Sequence, residues 1–227
     1  MTHGERAVRI GILGGTLDPI HVGHVETALA ARAALRLNSV IVMPARMPPH
    51  RQQGPSASMF HRFAMAALAA NELADVTVSD EELGSDGPSY TALTLERLAT
   101  RGLYPSQIFF ILGADAFVEI ETWHRYPAVL DLAHFVVISR PGVPVATIGD
   151  RLPHLRHRLR VADRRAAIPP EPSVFLVDAR TTDVSSTEIR RRLRAGDSIT
   201  GLVPRTVEHH IQRHGLYAET RTADRLQ

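Results

Sequence analysis

Two histidines three residues apart follow a glycine pair and a threonine in the stretch Gly14-Gly15-Thr16-Leu17-Asp18-Pro19-Ile20-His21-Val22-Gly23-His24. Glycine lets the backbone approach a ligand closely. Imidazole donates hydrogen bonds and, when protonated, brings charge. The Thr16 hydroxyl is a further donor. Together these groups suit a polyphosphate. The glycines alone would equally make a tight turn, but a turn has no need of a paired histidine.

Two common phosphate motifs are absent. A P-loop needs a lysine after its second glycine, and the chain contains no lysine. The dinucleotide fingerprint needs Gly-x-Gly-x-x-Gly, which Gly11, Gly14 and Gly15 do not supply.

A second polar cluster lies far along the chain, in Asp183-Val184-Ser185-Ser186-Thr187-Glu188-Ile189-Arg190. Hydroxyls before a glutamate and a helical apolar pattern mark a helix start. Taken alone this is a capping box. With Arg190 one turn in, it is also a second phosphate cradle.

Other candidates follow strands. His50 and Arg51 close the loop Pro44-Ala45-Arg46-Met47-Pro48-Pro49-His50-Arg51. Ser89-Tyr90-Thr91 opens a helix, so Ser89 or Thr91 either caps it or leaves its N–H groups for an anion. Gly113-Ala114-Asp115 ends an apolar run, where a small residue admits a planar ligand and a carboxylate accepts from ribose. Trp123, the single Trp, is either core or a face for a ring ligand. His210 and His214 share a helix face at metal-compatible spacing, but no third ligand is evident, so no metal site is expected there.

The elements that must position these groups alternate. Val8–Leu13, Ser39–Met43, Val76–Val78, Gln107–Leu112, Phe135–Ile138 and Ser173–Val177 read as strands. Val25–Leu37, Ser56–Leu73, a segment from Ser89 to Gly102, the stretch beginning near Ser185, and Leu202–Tyr217 read as helices. Such alternation predicts an α/β fold with a doubly wound, mostly parallel sheet and helices on both faces. Cradles after the first and last strands then converge at a topological switch point. We expect a single domain over 1–217, a partly helical exposed insertion over 143–172, and a frayed tail over 218–227.

Composition narrows the class. With 44% hydrophobic and 22% charged residues in 227, the chain is an ordinary globular one. It has no apolar run of membrane-span length and no signal-peptide pattern at its start. The lack of cysteine removes disulfides, thiolate metal sites and a Cys nucleophile, and fits a cytoplasmic protein. A net charge of +2 is no nucleic-acid footprint, and no aromatic residues interleave the basic run from Arg151 to Arg165.

Gly-x-x-Asp-Pro-x-His-x-Gly-His with a later Ser-Ser-Thr-x-x-Arg resembles the signature of the HxGH-type nucleotidylyltransferases on a Rossmann-like fold. Pro-Pro-His-Arg, Ser-Tyr-Thr, Gly-Ala-Asp with Trp123, and Ser-Arg-Pro-Gly resemble its bacterial nicotinate-nucleotide adenylyltransferases. One departure is Leu17, where the family usually has Phe. The resemblance implies transfer of AMP from ATP to nicotinate mononucleotide, forming nicotinate adenine dinucleotide and pyrophosphate, without an enzyme nucleophile. It implies that Gly14, Gly15, Thr16, His21, His24, Gly113, Asp115, Ser186, Thr187 and Arg190 bind ATP. Of these, His21, His24, Thr16 and Arg190 would be catalytic. Thr16, His50, Arg51, Tyr90, Thr91, Trp123 and Arg140 would hold the nicotinate nucleotide. Mg²⁺ would ride mainly on the ATP phosphates. No nucleic-acid or membrane partner is implied, and homo-oligomerisation is left open. The alternative is a related transferase acting on nicotinamide mononucleotide or phosphopantetheine.

Overall fold

The computed structural model describes residues 8–49 and 54–218. His50, Arg51 and the end of the tail therefore lie outside the described residues. Seven strands form one sheet: β1 (Ile10–Gly15), β2 (Ser39–Pro44), β3 (Val76–Val78), β4 (Ile108–Gly113), β5 (His134–Ile138), β6 (Leu159–Val161) and β7 (Val174–Val177). Their spatial order is β3-β2-β1-β4-β5-β7-β6 and every pairing is parallel. The chain winds outward one way from β1 and the other way from β4. The crevice between their carboxyl ends is the switch point where ligands bind in such sheets.

Alternating side chains feed two cores. Leu13, Phe109, Ile111, Val136 and Ile138 face helices α1 (Val22–Leu35), α2 (Met59–Ala70), α6 (Ser186–Ala195) and α7 (Arg205–Arg213). Ile12, Phe110, Leu112, Phe135 and Val137 face α3 (Thr91–Thr100), α4 (Ala114–Phe117) and α5 (Ile148–Arg151). Burial on both faces explains why β4 and β5 read as unbroken apolar runs.

In the first strand and helix, which carry the histidine motif, three boundaries differ from the sequence reading. β1 runs on to Gly15, so both glycines belong to the strand end; Gly15 has φ +152, a conformation glycine adopts freely. Helix α1 starts at Val22 rather than Val25, placing His21 at its N-cap and His24 inside its first turn. It stops at Leu35 because Arg36 takes a left-handed conformation, φ 53.

The segment over 143–172 is not merely an exposed, partly helical insertion. It contributes edge strand β6, which pairs with β7. Ile148, Leu152 and Leu155 are buried, while Arg151 and Arg156 stay exposed. Among the described residues no helix is long and apolar enough to cross a membrane.

Candidate active site

The turn between β1 and α1 is fixed from beneath by a buried carboxylate. Asp18 is fully buried and accepts from the Ser56 and Ala57 amides at 2.7 and 3.1 Å and from the Tyr217 hydroxyl at 2.8 Å. Burial, and then Asp18 itself, raises the pKa of that phenol. Arg190 approaches the Asp18 carboxylate to 3.9 Å and donates to its backbone carbonyl at 2.7 Å. Arg62 of α2, 1% exposed, donates to the carbonyls of Thr16 at 2.8 Å and Arg46 at 3.1 Å. These bonds tie the turn to the loop after β2 and to the C-terminal segment. Ser186 Oγ donates to the Pro19 carbonyl at 2.9 Å, stitching the start of α6 to the same turn.

His21, Asp115, Arg140, Thr182, Ser186 and Thr187 help to line a polar pocket of about 300 Å³ above this frame. The His21 and His24 rings stack with centroids 3.7 Å apart, and His24 Nδ1 accepts from the His21 amide at 3.3 Å. His21 Nδ1 is buried and finds no hydrogen-bond partner among the described residues. Burial, and then the Arg140 charge, holds the His21 pKa down to about 3. Burial, His21 and Arg140 push His24 the same way. Both rings are therefore neutral near pH 7, each with one donor to give. Thr182 is held by Glu26, which accepts from its amide and, at 2.8 Å, from its hydroxyl.

An apolar pocket of about 340 Å³ lies on the other side of the turn, touching Gly14, Gly15 and Thr16. Met43, Phe110, Leu112 and Trp123 supply much of its wall. Trp123 stands edge-on to Phe110, centroids 6.1 Å apart at 90°, and so is both core and pocket wall. Tyr90 stacks on His124 at 4.3 Å.

The choice of cap for α3 resolves as neither Ser89 nor Thr91. Ser89 Oγ accepts from the Arg46 and Met47 amides, and Tyr90 is an N-cap without a side-chain bond. The first amides of α3 thus meet no capping side chain at the pocket that Ser89, Tyr90 and Thr91 line. Glu82, 7% exposed, also lines it and accepts from Thr94 at 2.6 Å.

Most of the residues expected at the site gather here. Arg190 sits under the turn, its guanidinium on Asp18 and, at 3.2 Å, on the Thr187 hydroxyl. Arg140, expected with Tyr90, Thr91 and Trp123, lines the polar pocket instead. Asp115 is at its rim, its side chain 61% exposed. His50 and Arg51 are outside the described residues. The sequence reading missed Asp18, Arg62, Tyr217 and Glu82; the signal for Asp18 was its place inside the motif, and the others looked like ordinary helix or loop residues. His210 and His214 meet His61 across α2 and α7, with His61 Nδ1 and His210 Nε2 3.2 Å apart. Among the described residues no three such side chains form a group able to hold a metal ion.

The chain is similar to known proteins. The family model described as cytidylyltransferase-like matches residues 12–192. A Desulfatibacillum aliphaticivorans protein named "Probable nicotinate-nucleotide adenylyltransferase" is 40% identical, over 92% of this chain and 100% of its own length. One of the same name from Pseudomonas syringae pv. tomato is 38% identical, over 94% and 96%. In fold, the chain is similar to the Plasmodium falciparum nicotinic acid mononucleotide adenylyltransferase complexed with NaAD, with TM-score 0.67 and 18% identity over 92% of this chain and 97% of that one. The chain belongs to the cytidylyltransferase-like family, among its nicotinate-nucleotide adenylyltransferases.

Proposed function

We propose that this protein joins ATP to nicotinate mononucleotide, giving nicotinate adenine dinucleotide and pyrophosphate, as a single-domain cytoplasmic enzyme of NAD biosynthesis. The observation that carries this reading is the pair of unlike pockets on either side of one βα turn. One offers the neutral His21 imidazole and hydroxyls, with the His24 ring stacked behind it, and the other offers an indole and uncapped helix amides.

The 5′-phosphate oxygen of nicotinate mononucleotide attacks the ATP α-phosphorus. A new P–O bond forms as the bond to the oxygen leading to the β-phosphate breaks, and its electrons leave with pyrophosphate. The attacking oxygen is already anionic, so no general base is required. Catalysis is positioning and charge stabilisation.

His24 and His21 donate to phosphate oxygens. Their neutrality makes them donors that need no proton taken from solvent. Thr16, on the turn between the pockets, bridges the two reacting phosphates. Gly14 and Gly15 let the phosphates approach the strand end. Ser186 and Thr187 hold the outer phosphates, and Arg190 acts from beneath by fixing Thr187 and the turn. Gly113 and Asp115 border the adenosine. Trp123 stacks on the pyridine ring, while Tyr90 and Thr91 present the α3 amides to its carboxylate.

The donor set fits a divalent ion carried by the nucleotide: no protein cluster of three ligands forms among the described residues, and Mg²⁺ commonly keeps phosphate and water ligands. Asp183, on the polar pocket, would be the carboxylate available to its water shell. The ion supplies charge neutralisation on the triphosphate.

The test is pyrophosphate release by the purified chain with ATP and Mg²⁺, offered nicotinate mononucleotide, nicotinamide mononucleotide or phosphopantetheine. Release with the first alone is expected. Preference for another acceptor overturns the substrate, and no release with any overturns the reaction.

A further inference from the structure

We infer that Arg140 is a catalytic cation of the triphosphate side, bearing on the transferring α-phosphate and the departing pyrophosphate, its side chain lying in a slot bordered by Gly113 and Gly23. This rests on the reaction proposed above and changes the role that sequence resemblance gives to Arg140.

The slot is visible from what the glycines would otherwise touch. A Cβ on Gly113 would meet Asp115 Oδ1 first and would also lie 2.9 Å from Arg140 Nε and 3.0 Å from its Cγ, so the bare position leaves room for both side chains. A Cβ on Gly23 would lie 3.3 Å from Arg140 Nη1 and 3.2 Å from His21 Nδ1. Neither glycine is demanded by the backbone. Gly113 has an ordinary φ of −77, and Gly23 sits in the first turn of α1. Glycine is a poorer helix former than alanine, so the helix gives up some stability at the point where the guanidinium passes.

Charge points the same way. Arg140 is the only cation among the described residues lining the polar pocket, and its side chain is 18% exposed. The histidines beside it stay neutral, in part through its own field. Its carboxylate neighbour, Asp115 Oδ1, is 3.9 Å away, beyond hydrogen-bond reach, so the planar fork keeps its N–H groups for phosphate oxygens. Arriving phosphates would draw Arg140 from Asp115 and leave that carboxylate for a ribose hydroxyl. Trp123, Tyr90 and Thr91, by contrast, line the apolar pocket without Arg140.

Arg140→Gln and Arg140→Lys in the full chain test the assignment. Arg140→Gln should lower kcat by about 10²–10³-fold, the usual effect of removing a transition-state donor. The KM for ATP should rise and the KM for nicotinate mononucleotide should stay within about twofold. Arg140→Lys should recover only part of kcat, because it restores charge without the fork.

A readout independent of turnover is the imidazole titration by NMR: the His21 pKa should rise in Arg140→Gln. A raised KM for nicotinate mononucleotide with unchanged kcat and ATP KM would return Arg140 to the pyridine nucleotide and overturn the inference. Should wild type release no pyrophosphate, the reaction itself fails. Calorimetric affinity for α,β-methylene-ATP then decides Arg140 separately, and equal affinity in wild type and Arg140→Gln overturns its role.

Discussion

The polar pocket is walled by two short motifs plus Asp115 and Arg140, and the turn beneath it is fixed by a buried network of Asp18, Arg62, Arg190 and Tyr217. The apolar pocket draws its wall from separate segments, among them β1, β2, the loop after β2, the start of α3, β4 and Trp123, held by packing. One side binds through directional groups whose positions must be exact to fractions of an ångström. The other binds by shape and an aromatic face, which tolerate adjustment. Damage on the polar side should therefore appear in kcat or in folding, and damage on the apolar side in KM for the acceptor nucleotide.

The largest effect should come from beneath the polar side. Asp18→Ala leaves two amides and a phenol without their acceptor and removes the anion beside Arg190. Breaking a buried charged arrangement from one side costs about 3–5 kcal/mol, so the urea midpoint should fall accordingly, with α,β-methylene-ATP binding lost before global unfolding. A change below about 1 kcal/mol would mean that packing, not this network, holds the turn.

His24→Ala comes next. It should cut kcat by about 10²–10³ while the KM for nicotinate mononucleotide holds, measured by steady-state pyrophosphate release. Near-native kcat would erase the polar side's claim to the chemistry. Trp123→Ala should show the converse: KM for nicotinate mononucleotide about tenfold higher, from a lost ring contact of order 1 kcal/mol, with the KM for ATP unchanged. A shift in the ATP KM alone would break the division between pockets.

The same contrast explains what could be read from the chain. His21, Ser186 and Thr187, which line the polar pocket, could be picked out because a polyphosphate reading is local: a strand end, a turn and a helix start carry it within a few residues. The strands were legible because β4 and β5 are buried on both faces. β6 was not, since Leu159-Arg160-Val161 lies in a basic run and becomes a strand only by pairing with β7. The start of α1 was hidden because Gly23 and His24 look like loop residues. Arg62 and Tyr217 were hidden because their partners, Thr16 and Asp18, are far off in sequence, and a helix arginine or a tyrosine before a tail carries no mark of burial. Arg140 was named from the sequence among residues for the nicotinate nucleotide, and it lines the polar pocket, away from Tyr90, Thr91 and Trp123. Its loop follows β5, and only the spatial neighbours of β4 and α1 reveal which pocket it enters.

The smallest expected effect lies on α6, whose two sides repeat the contrast at short range. Inward, Ile189 and Arg190 are buried under the turn. Outward, Glu188 accepts from Arg191 at 2.8 Å and Arg192 at 2.9 Å, while its amide donates to Ser185 Oγ at 3.1 Å. The bonds from Arg191 and then Arg192 lower the Glu188 pKa from 4.5 to about 2. The unfolded chain takes up this proton as pH falls through 4.5, and the folded chain only near 2. The contribution to folding is therefore complete above pH 4.5 and is lost on descending to 2. The group is solvated, so the effect should be small and weakened by salt. Glu188→Gln should slightly destabilise the protein at pH 7 in low salt, and the difference from wild type in urea unfolding should shrink between pH 4.5 and 2. Its kcat should be unchanged, because the outer side of α6 secures the helix while the inner side secures the phosphates. A kcat loss in Glu188→Gln would show that the two sides act as one, and that the polar pocket extends through α6 to its solvent face.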